Sequence, residues 1–302
     1  MPGPCSIVIL WPIEHLSMCT VTLWTRPRGY LLGMNRDESR QRISALPPRQ
    51  ETARRRQVVH PGEPQGGTWI SMNELGISFA LVNWYSRHCP ACPPVMSRGE
   101  IVRTLRSAGH PGEARGFLAA FDLIHLSPFR LIGVFPETET VLEWQWGGNE
   151  LLEVAHRWEP TQWISSGWDE PGAQRTRSAV FERFREDFDA GTIRWLRKLH
   201  GSHGDGPGPY STCMHRENAA TVSYTEIEAD TTGGELRYFS GPLCESHAWY
   251  CDRLLKLVDP ASVAEPGNRT FGVPGTQQES GDSAKISSSH RNSPELSTPH
   301  GV

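Results

Sequence analysis

Cys19 directly follows Met18 in the stretch "SMCTVTLW", residues 17–24. If translation starts at Met18, or a leader ending there is cut off, Cys19 becomes the first residue of the working chain. It then carries a free α-amine beside its thiol. The amine has a pKa near ~8 and the thiol near ~8.5, so the amine can accept the thiol proton at little cost. The stretch predicts a cysteine nucleophile that carries its own base; the alternative is a small buried hydrophobe that begins a strand.

Residues 1–17 match a secretory signal poorly. Their apolar stretch is interrupted by Pro12 and followed by Glu14 and His15, no basic segment comes first, and no small-x-small site precedes Cys19. A lipoprotein-type signal needs a small residue before its cysteine, and this chain has a methionine there. We expect a disordered extension, or sequence lying upstream of the true start.

The composition favours a globular protein. The chain has 302 residues, 37% of them hydrophobic, which is enough for a sizeable core in one large domain. A formal net charge of -4 creates no field that would gather nucleic acid or a membrane surface. No run reaches the ~18 apolar residues of a membrane span. We therefore predict a cytoplasmic protein with no nucleic-acid partner and no membrane span.

The cysteines predict a reducing compartment, because their number is odd and their spacing irregular. They are Cys5, Cys19, Cys89, Cys92, Cys213, Cys244 and Cys251. Cys89 and Cys92 form one CxxC, without the second pair of a zinc site or the strand and helix of a thioredoxin site. An ordinary loop with two thiols is favoured. Because His60, His88 and His215 lack ligand spacing, we predict no metal and no cofactor.

Hydrophobic patterns predict strands in pairs and helices in separate blocks. "CTVTLW" and "GYLLGMN" predict a hairpin that turns at 26–29, and "GGTWISMNELGISFALVNW" predicts a second that turns at 73–76. A helix is expected from Ser97, with Ser97 and Glu100 in capping-box spacing, and another over about 112–121.

The second half continues the same alternation. Strands are predicted at "FRLIGVFP", "TVLEWQW", "TQWISS", "ATVSYTEIE" and "ELRYFSGP". A helix over about 171–188 should place Val180, Phe181, Phe184 and Phe188 on one side. "HGSHGDGPGPY" is interpreted as a flexible loop. We predict an α+β layered domain over 18–258 and a disordered tail over 259–302, where apolar residues are scarce.

Five segments between residues 18 and 106 resemble, in the same order, the signature of the NRDE-motif proteins, the family of transport and Golgi organisation protein 2. They are "MCTVTL", "GYLLGMNRDESR", "ALPPR", "GGTWISMNELGISFALVNWYS" and "SRGEIV", with "NRDE" itself at 35–38. "WISSGWDE" and "CMHRENAATVSYTEIE" resemble a bacterial branch of that family. The resemblance implies an N-terminal-nucleophile hydrolase fold of four layers, αββα, in which Cys19 begins the first strand.

The wider superfamily, with choloylglycine hydrolases and penicillin V acylases, carries Gly-Arg-Asn-x-Asp on its second strand. The similar stretch here is 33–37, which implies that Asp37 holds the amine of Cys19. Met34 stands where the superfamily has arginine, and Arg36 lies two residues further on. From the residues alone, Asp37 capping a loop and Arg36 pairing with a carboxylate stays an open alternative.

Three further positions follow from the same resemblance. "NELGISFALVN" is similar to a superfamily segment that implies Asn83 as a donor to the oxyanion, worth ~3 kcal/mol if well placed; a turn residue is the open alternative. Ser166 stands in the place of a second asparagine. Ala220 occupies the place of a late arginine, with Arg216 nearby.

Three functions follow from these observations. The first is an amidohydrolase or acyltransferase that acts on a small-molecule acyl amide or thioester substrate, using the residues named above. The second, implied by the eukaryotic family members, is a non-catalytic binding or trafficking protein that handles haem or acyl-CoA lipids. The third is a redox protein that uses Cys89 and Cys92.

Overall fold

The described residues, 17–87, 96–245 and 249–255 without the side chain of Leu255, form two antiparallel sheets in the computed structural model. Sheet A has six strands and contains the first predicted hairpin. In spatial order they are β10 (Thr161–Ser166), β1 (Met18–Arg26), β2 (Gly29–Ser39), β11 (Ala219–Asp230), β12 (Gly233–Ser240) and β13 (Trp249–Leu255).

Sheet B has seven strands, and each strand pairs with its neighbour in sequence. They are β3 (Leu46–Ala53), β4 (Arg56–Gly62), β5 (Ile70–Asn73), β6 (Ser78–Asn83), β7 (Phe129–Phe135), β8 (Thr140–Trp146) and β9 (Leu151–His156). Antiparallel neighbours need only a turn between them, but the connection between β6 and β7 is long and contains two helices. Gly76 takes a φ of +70° in the turn between β5 and β6, where a Cβ would collide with the carbonyl oxygen of Asp230.

The two sheets pack face to face, and helices cover their outer faces. Helices α1 (Gly99–Leu105) and α2 (Pro111–Ala119) pack on sheet B, whereas α3 (Glu170–Phe184) and α4 (Ile193–His200) pack on sheet A. The layers therefore run helix, sheet, sheet, helix. This order confirms the predicted α+β fold class with four layers, αββα.

The core between the sheets takes every second side chain of β1. Cys19, Val21 and Leu23 lie in it beside residues of β2 such as Met34, and all are at most 7% exposed. Each fully buried aliphatic side chain of this kind contributes roughly 1.5–3 kcal/mol by leaving water. The alternate residues of β1 face the α3 layer, so the strand is buried on both sides.

Both predicted hairpins are confirmed, and two helix details are wrong. Helix α1 has Arg98 as its N-cap with no side-chain cap, while the Ser97 hydroxyl accepts only from the Gly99 N–H at 3.3 Å. The capping box therefore does not form. Helix α3 ends at Phe184, and Phe188 lies beyond it with 98% of its surface exposed.

The predicted leader, apart from Ser17, lies outside the described residues, as do the Cys89–Cys92 motif and the predicted tail over 259–302. These assignments stay predictions. Among the residues that the structure describes, no helix is both long enough and apolar enough to cross a membrane.

Candidate functional site

A cleft of about 700 Å³ opens where β1, β2 and β6 meet the start of α1. Four of the six predicted site residues line it, namely Cys19, Arg36, Asp37 and Asn83. They come from three strands: β1 and β2 pair within sheet A, and the packing of sheet B on sheet A brings β6 to them. The sequence separates Cys19 from Asn83 widely, so only the fold explains their proximity.

Cys19 is the second residue of β1, directly opposite Arg36 on β2 and Ser165 on β10. Directly opposite residues of antiparallel strands share a face, so these three side chains point toward sheet B. Burial raises the pKa of the Cys19 thiol to about 12, and the negative charge of Asp37 adds to the rise. In the intact chain the thiol is therefore protonated at neutral pH.

Asp37 presents its carboxylate on the opposite face of β2, toward α3. Arg177 donates to its Oδ2 at 3.0 Å and Thr221 donates to its Oδ1 at 2.6 Å. Both members of the Asp37–Arg177 pair are fully buried, and Arg177 also donates to Thr20 Oγ1 at 2.6 Å. Burial raises the pKa of Asp37, and the Arg177 charge offsets part of that rise.

Arg177 is a site residue that sequence reasoning missed. It lies on the buried side of α3 with Ala173, Val180 and Phe181. Those positions follow the i, i+4, i+7, i+8 pattern of an inward helix face. An arginine within that pattern must find a buried partner, because an unpaired charge is too costly there. This was the signal that would have found it.

Arg36 forms the charged wall of the cleft. Its guanidinium donates to Glu63 Oε1 at 2.8 Å and lies 4.6 Å from the ring centroid of Trp69. Glu38 lies 3.5 Å away, and Arg42 bridges Glu38 and Glu63 with ion pairs of 2.6 Å and 2.9 Å. The NRDE stretch thus contributes an ion-pair network to the wall, in agreement with the open alternative that Arg36 pairs with carboxylates.

Asn83 ends β6 at the cleft, where its amide nitrogen donates to the Tyr85 hydroxyl at 2.5 Å. Tyr85 also lines the cleft, and burial raises its pKa. The Arg98 charge offsets part of that rise, and Arg98 and Cys19 line the same cleft as this phenol. Sequence reasoning missed Tyr85, and its position two residues after Asn83 was the available signal.

The residues just before Cys19 occupy the end of the strand. The Ser17 hydroxyl donates to Glu38 Oε1 at 2.6 Å, and its carbonyl accepts from the Gly167 N–H at 3.1 Å. Met18 is fully buried and belongs to a small apolar cluster. Its other buried members are Ile164, Ala173, Met214 and Ala219. In this form of the chain the nitrogen of Cys19 is part of a peptide bond.

Ser166 and Arg216 do not line the cleft. The Ser166 hydroxyl accepts from the N–H groups of Trp168 and Asp169 at 3.2 Å and 3.1 Å, and these bonds stabilise the turn before α3. The Arg216 guanidinium stacks over the Trp168 ring at 4.5 Å. The strand register instead puts Ser165 beside Cys19, with a buried hydroxyl that has no partner among the described residues.

Sequence comparisons found no relative: no protein-family profile matches the chain, and no curated protein matches it. The resemblance to NRDE-motif proteins therefore stays a prediction. Among solved structures, penicillin V acylase from Agrobacterium tumefaciens is similar at a TM-score of 0.46 and 10% identity, over 78% of this chain and 86% of that chain. Two variants of conjugated bile acid hydrolase from Clostridium perfringens each have a TM-score of 0.39 and 11% identity, over 82% of this chain and 100% of theirs.

Proposed function

We propose that this chain is a cysteine N-terminal-nucleophile hydrolase of a small-molecule acyl amide or thioester, active once the residues up to Met18 are removed. The observation that carries the proposal is that Cys19 and Asn83 line one cleft, and that Asp37, which also borders it, lies opposite Met18 at the beginning of β1. Removal of the preceding residues leaves a free amine beside the thiol at that cleft.

The first chemical step is a proton transfer within Cys19. The new α-amine has an ordinary pKa near ~8, so at neutral pH a fraction of it is unprotonated and can accept the thiol proton. The sulfur then attacks the substrate carbonyl carbon, and the carbonyl π electrons move to oxygen. In the intact chain the α-amine is not available as a base. A thiol pKa of about 12 keeps Cys19 protonated and unreactive at neutral pH.

The tetrahedral intermediate then collapses. The Asn83 amide donates to the oxyanion, after exchanging its bond to Tyr85 for the substrate oxygen. The C–N or C–S bond breaks, and the α-ammonium gives its proton to the leaving amine or thiolate. Water hydrolyses the remaining thioester on Cys19, the α-amine accepting one of the water protons, which releases a carboxylic acid and restores the enzyme.

Asp37 is assigned the role of orienting the amine. A carboxylate offers about four acceptor sites, and two of those on Asp37 are used by Arg177 and Thr221. Capacity is left for the ammonium that forms when the thiol loses its proton. The Asp37 carboxylate also favours that cation by its charge.

The test compares the intact chain with a chain translated from Met18. Intact mass and N-terminal sequencing establish whether Cys19 is free, and a panel of fluorogenic acyl amides and acyl thioesters reports turnover. We expect the short chain to form an acyl adduct on Cys19 and to turn over, and the intact chain to do neither. Cys19→Ala should lose at least about 10³-fold in rate, whereas Cys251→Ala, which changes an exposed cysteine on β13, should keep it.

Asn83→Ala in the short chain tests the oxyanion role. We expect kcat to fall about 10²–10³-fold, as for loss of one preorganised donor. A short chain with a proven free Cys19 that binds the acyl compounds but forms no adduct and no product contradicts the proposal. That result would favour the non-catalytic binding function.

A further inference from the structure

A cluster of two histidines and two cysteines lies outside the cleft. Its members are His203, Cys213, His215 and Cys244, and their side-chain ligand atoms all lie within 4.8 Å of one another. The sequence predicted no metal, because these residues are spread over two loops and only Cys213 and His215 are close in the chain. The fold brings the loop after α4 and the segment after β12 together.

We propose that these four residues form a structural Zn²⁺ site. Two thiolates and two imidazoles are a ligand set that zinc prefers, and four protein ligands close its tetrahedral shell. A closed shell leaves no position for water or substrate, which makes the site structural and not catalytic.

The distances in the cluster fit a zinc tetrahedron. Bond lengths of about 2.3 Å to sulfur and 2.05 Å to nitrogen require separations of about 3.8 Å between two sulfurs, 3.5 Å between sulfur and nitrogen, and 3.3 Å between two nitrogens. The two Sγ atoms are 3.5 Å apart, and the two Nε2 atoms are 3.1 Å apart. His215 Nε2 lies 3.7 Å from Cys213 Sγ and 3.2 Å from Cys244 Sγ. These four values are within about 0.4 Å of that expectation, and the two separations between His203 and the sulfurs lie within 4.8 Å.

The backbone already holds the ligands in place. The Cys213 N–H donates to Ser202 O at 3.0 Å, and the His215 N–H donates to Gly208 O at 3.2 Å. His215 also forms an isolated bridge with Ala220. A site preorganised in this way binds a metal without first having to order its loops.

The ion would stabilise the loop around Cys213, which supports the residues next to Asp37. The loop that carries Cys213 supplies the Thr212 carbonyl, which accepts from Asn35 Nδ2 at 2.7 Å. It also supplies the Met214 N–H, which donates to Thr221 Oγ1 at 2.8 Å, and Thr221 in turn donates to Asp37. Zinc therefore holds in place the loop that supports Thr221, the donor to the Asp37 carboxylate.

The test measures zinc in the full chain. Protein freed of metal under reducing conditions is titrated with Zn²⁺, and bound metal is counted by elemental mass spectrometry after gel filtration. We expect one ion per chain. Cys244→Ser, which changes an exposed side chain and leaves no buried cavity, should weaken binding by more than about 100-fold, as expected for loss of a direct ligand. His203→Gln should do the same, and circular dichroism verifies that both variants fold.

Matched controls separate this cluster from other thiols and imidazoles. Cys251→Ser, His125→Ala and the double change Cys89→Ser/Cys92→Ser should each retain one ion. In addition, zinc should protect Cys213 and Cys244 from alkylation, and a chelator should remove the protection. Uptake below half an ion per chain overturns the proposal, as does unchanged binding in Cys244→Ser and His203→Gln.

Discussion

Asp37 in sheet A and Glu143 in sheet B are both buried carboxylates with arginine partners, and their pKa values move in opposite directions. Glu143 accepts from four donors that lie between 2.5 and 3.0 Å away. They are Arg130 Nε, Gln145 Nε2, His156 Nε2 and Trp163 Nε1. Burial opposes its ionisation, but the bonds from His156 and Arg130 outweigh burial and lower its pKa to about 2.

Asp37 has two donors, and burial prevails, so its pKa rises. The different numbers of donors and the opposite pKa shifts indicate that Glu143 has a structural role. Glu143 has its acceptor sites filled and joins sheet B to Trp163 of sheet A. Asp37 accepts from Arg177 and Thr221 among the described residues, which leaves part of the acceptor capacity of its carboxylate unused.

The two shifts have opposite effects on stability. A lowered carboxyl pKa contributes stability that is present above the unfolded pKa, 4.5 for Glu143, and is lost as pH falls toward about 2. A raised carboxyl pKa means that the folded state binds the proton more readily. Ionisation of Asp37 therefore costs stability as pH rises above its unfolded pKa of 3.8.

Arg177→Met should cause the largest loss of unfolding free energy, because it removes the charge partner of Asp37. The variant leaves a buried carboxylate without its charge partner, which typically costs about 3–5 kcal/mol. Urea or guanidinium unfolding at pH 7 measures it. Arg183→Met, on the exposed side of the same helix, should change stability by less than about 0.5 kcal/mol.

A double variant tests whether this loss of stability comes from the unpaired charge. Asp37→Asn/Arg177→Met removes both charges and should recover much of the lost stability, because the penalty comes from the unpaired ion. Additive losses in the double variant would show that Arg177 stabilises α3 by packing alone.

Glu143→Gln should remove the stabilisation that comes from ionisation in sheet B. A shift from 4.5 to about 2 corresponds to about 3 kcal/mol at neutral pH, and the wild-type chain should lose it between pH 4.5 and 2. Unfolding free energies measured across that range should decline less steeply in the variant. Glu150→Gln, at an exposed position, should follow the wild-type curve; a variant curve as steep as the wild type would assign the acid loss to other groups.

Much of the fold was predictable from local pattern. Alternation in β1 and β2 and the turn residues at 73–76 identify both hairpins, because each face of a strand meets one environment. Strands β3, β4, β9 and β13 were missed; β3 contains Pro47 and Pro48, and β3 and β9 have mostly exposed side chains. Their pairing depends on neighbours in the sheet, which periodicity does not report.

The site was predictable only where its residues lie on regular strands. Cys19, Asp37 and Asn83 were proposed from motifs that lie on β1, β2 and β6, and their roles stay predictions. Arg177 and the His/Cys cluster were missed: Asp37 is 140 residues from Arg177, and Cys244 is 41 residues from His203. Contacts of that kind are made by packing and by loops: local spacing can mark Arg177 as buried, but it does not name its partner.

Thr221→Val should cause the smallest loss of unfolding free energy among the three sites. Thr221 Oγ1 is buried, donates to Asp37 Oδ1 at 2.6 Å and accepts from the Met214 N–H at 2.8 Å. Valine keeps the shape and removes both bonds, so we expect a loss of roughly 2 kcal/mol in unfolding free energy, typical of a bond to a charged group. Thr225→Val is the matched control on β11, because the Thr225 hydroxyl is buried with no partner among the described residues. It should be neutral or slightly stabilising, and an equal loss in both variants would mean that the Thr221 bonds do not support Asp37.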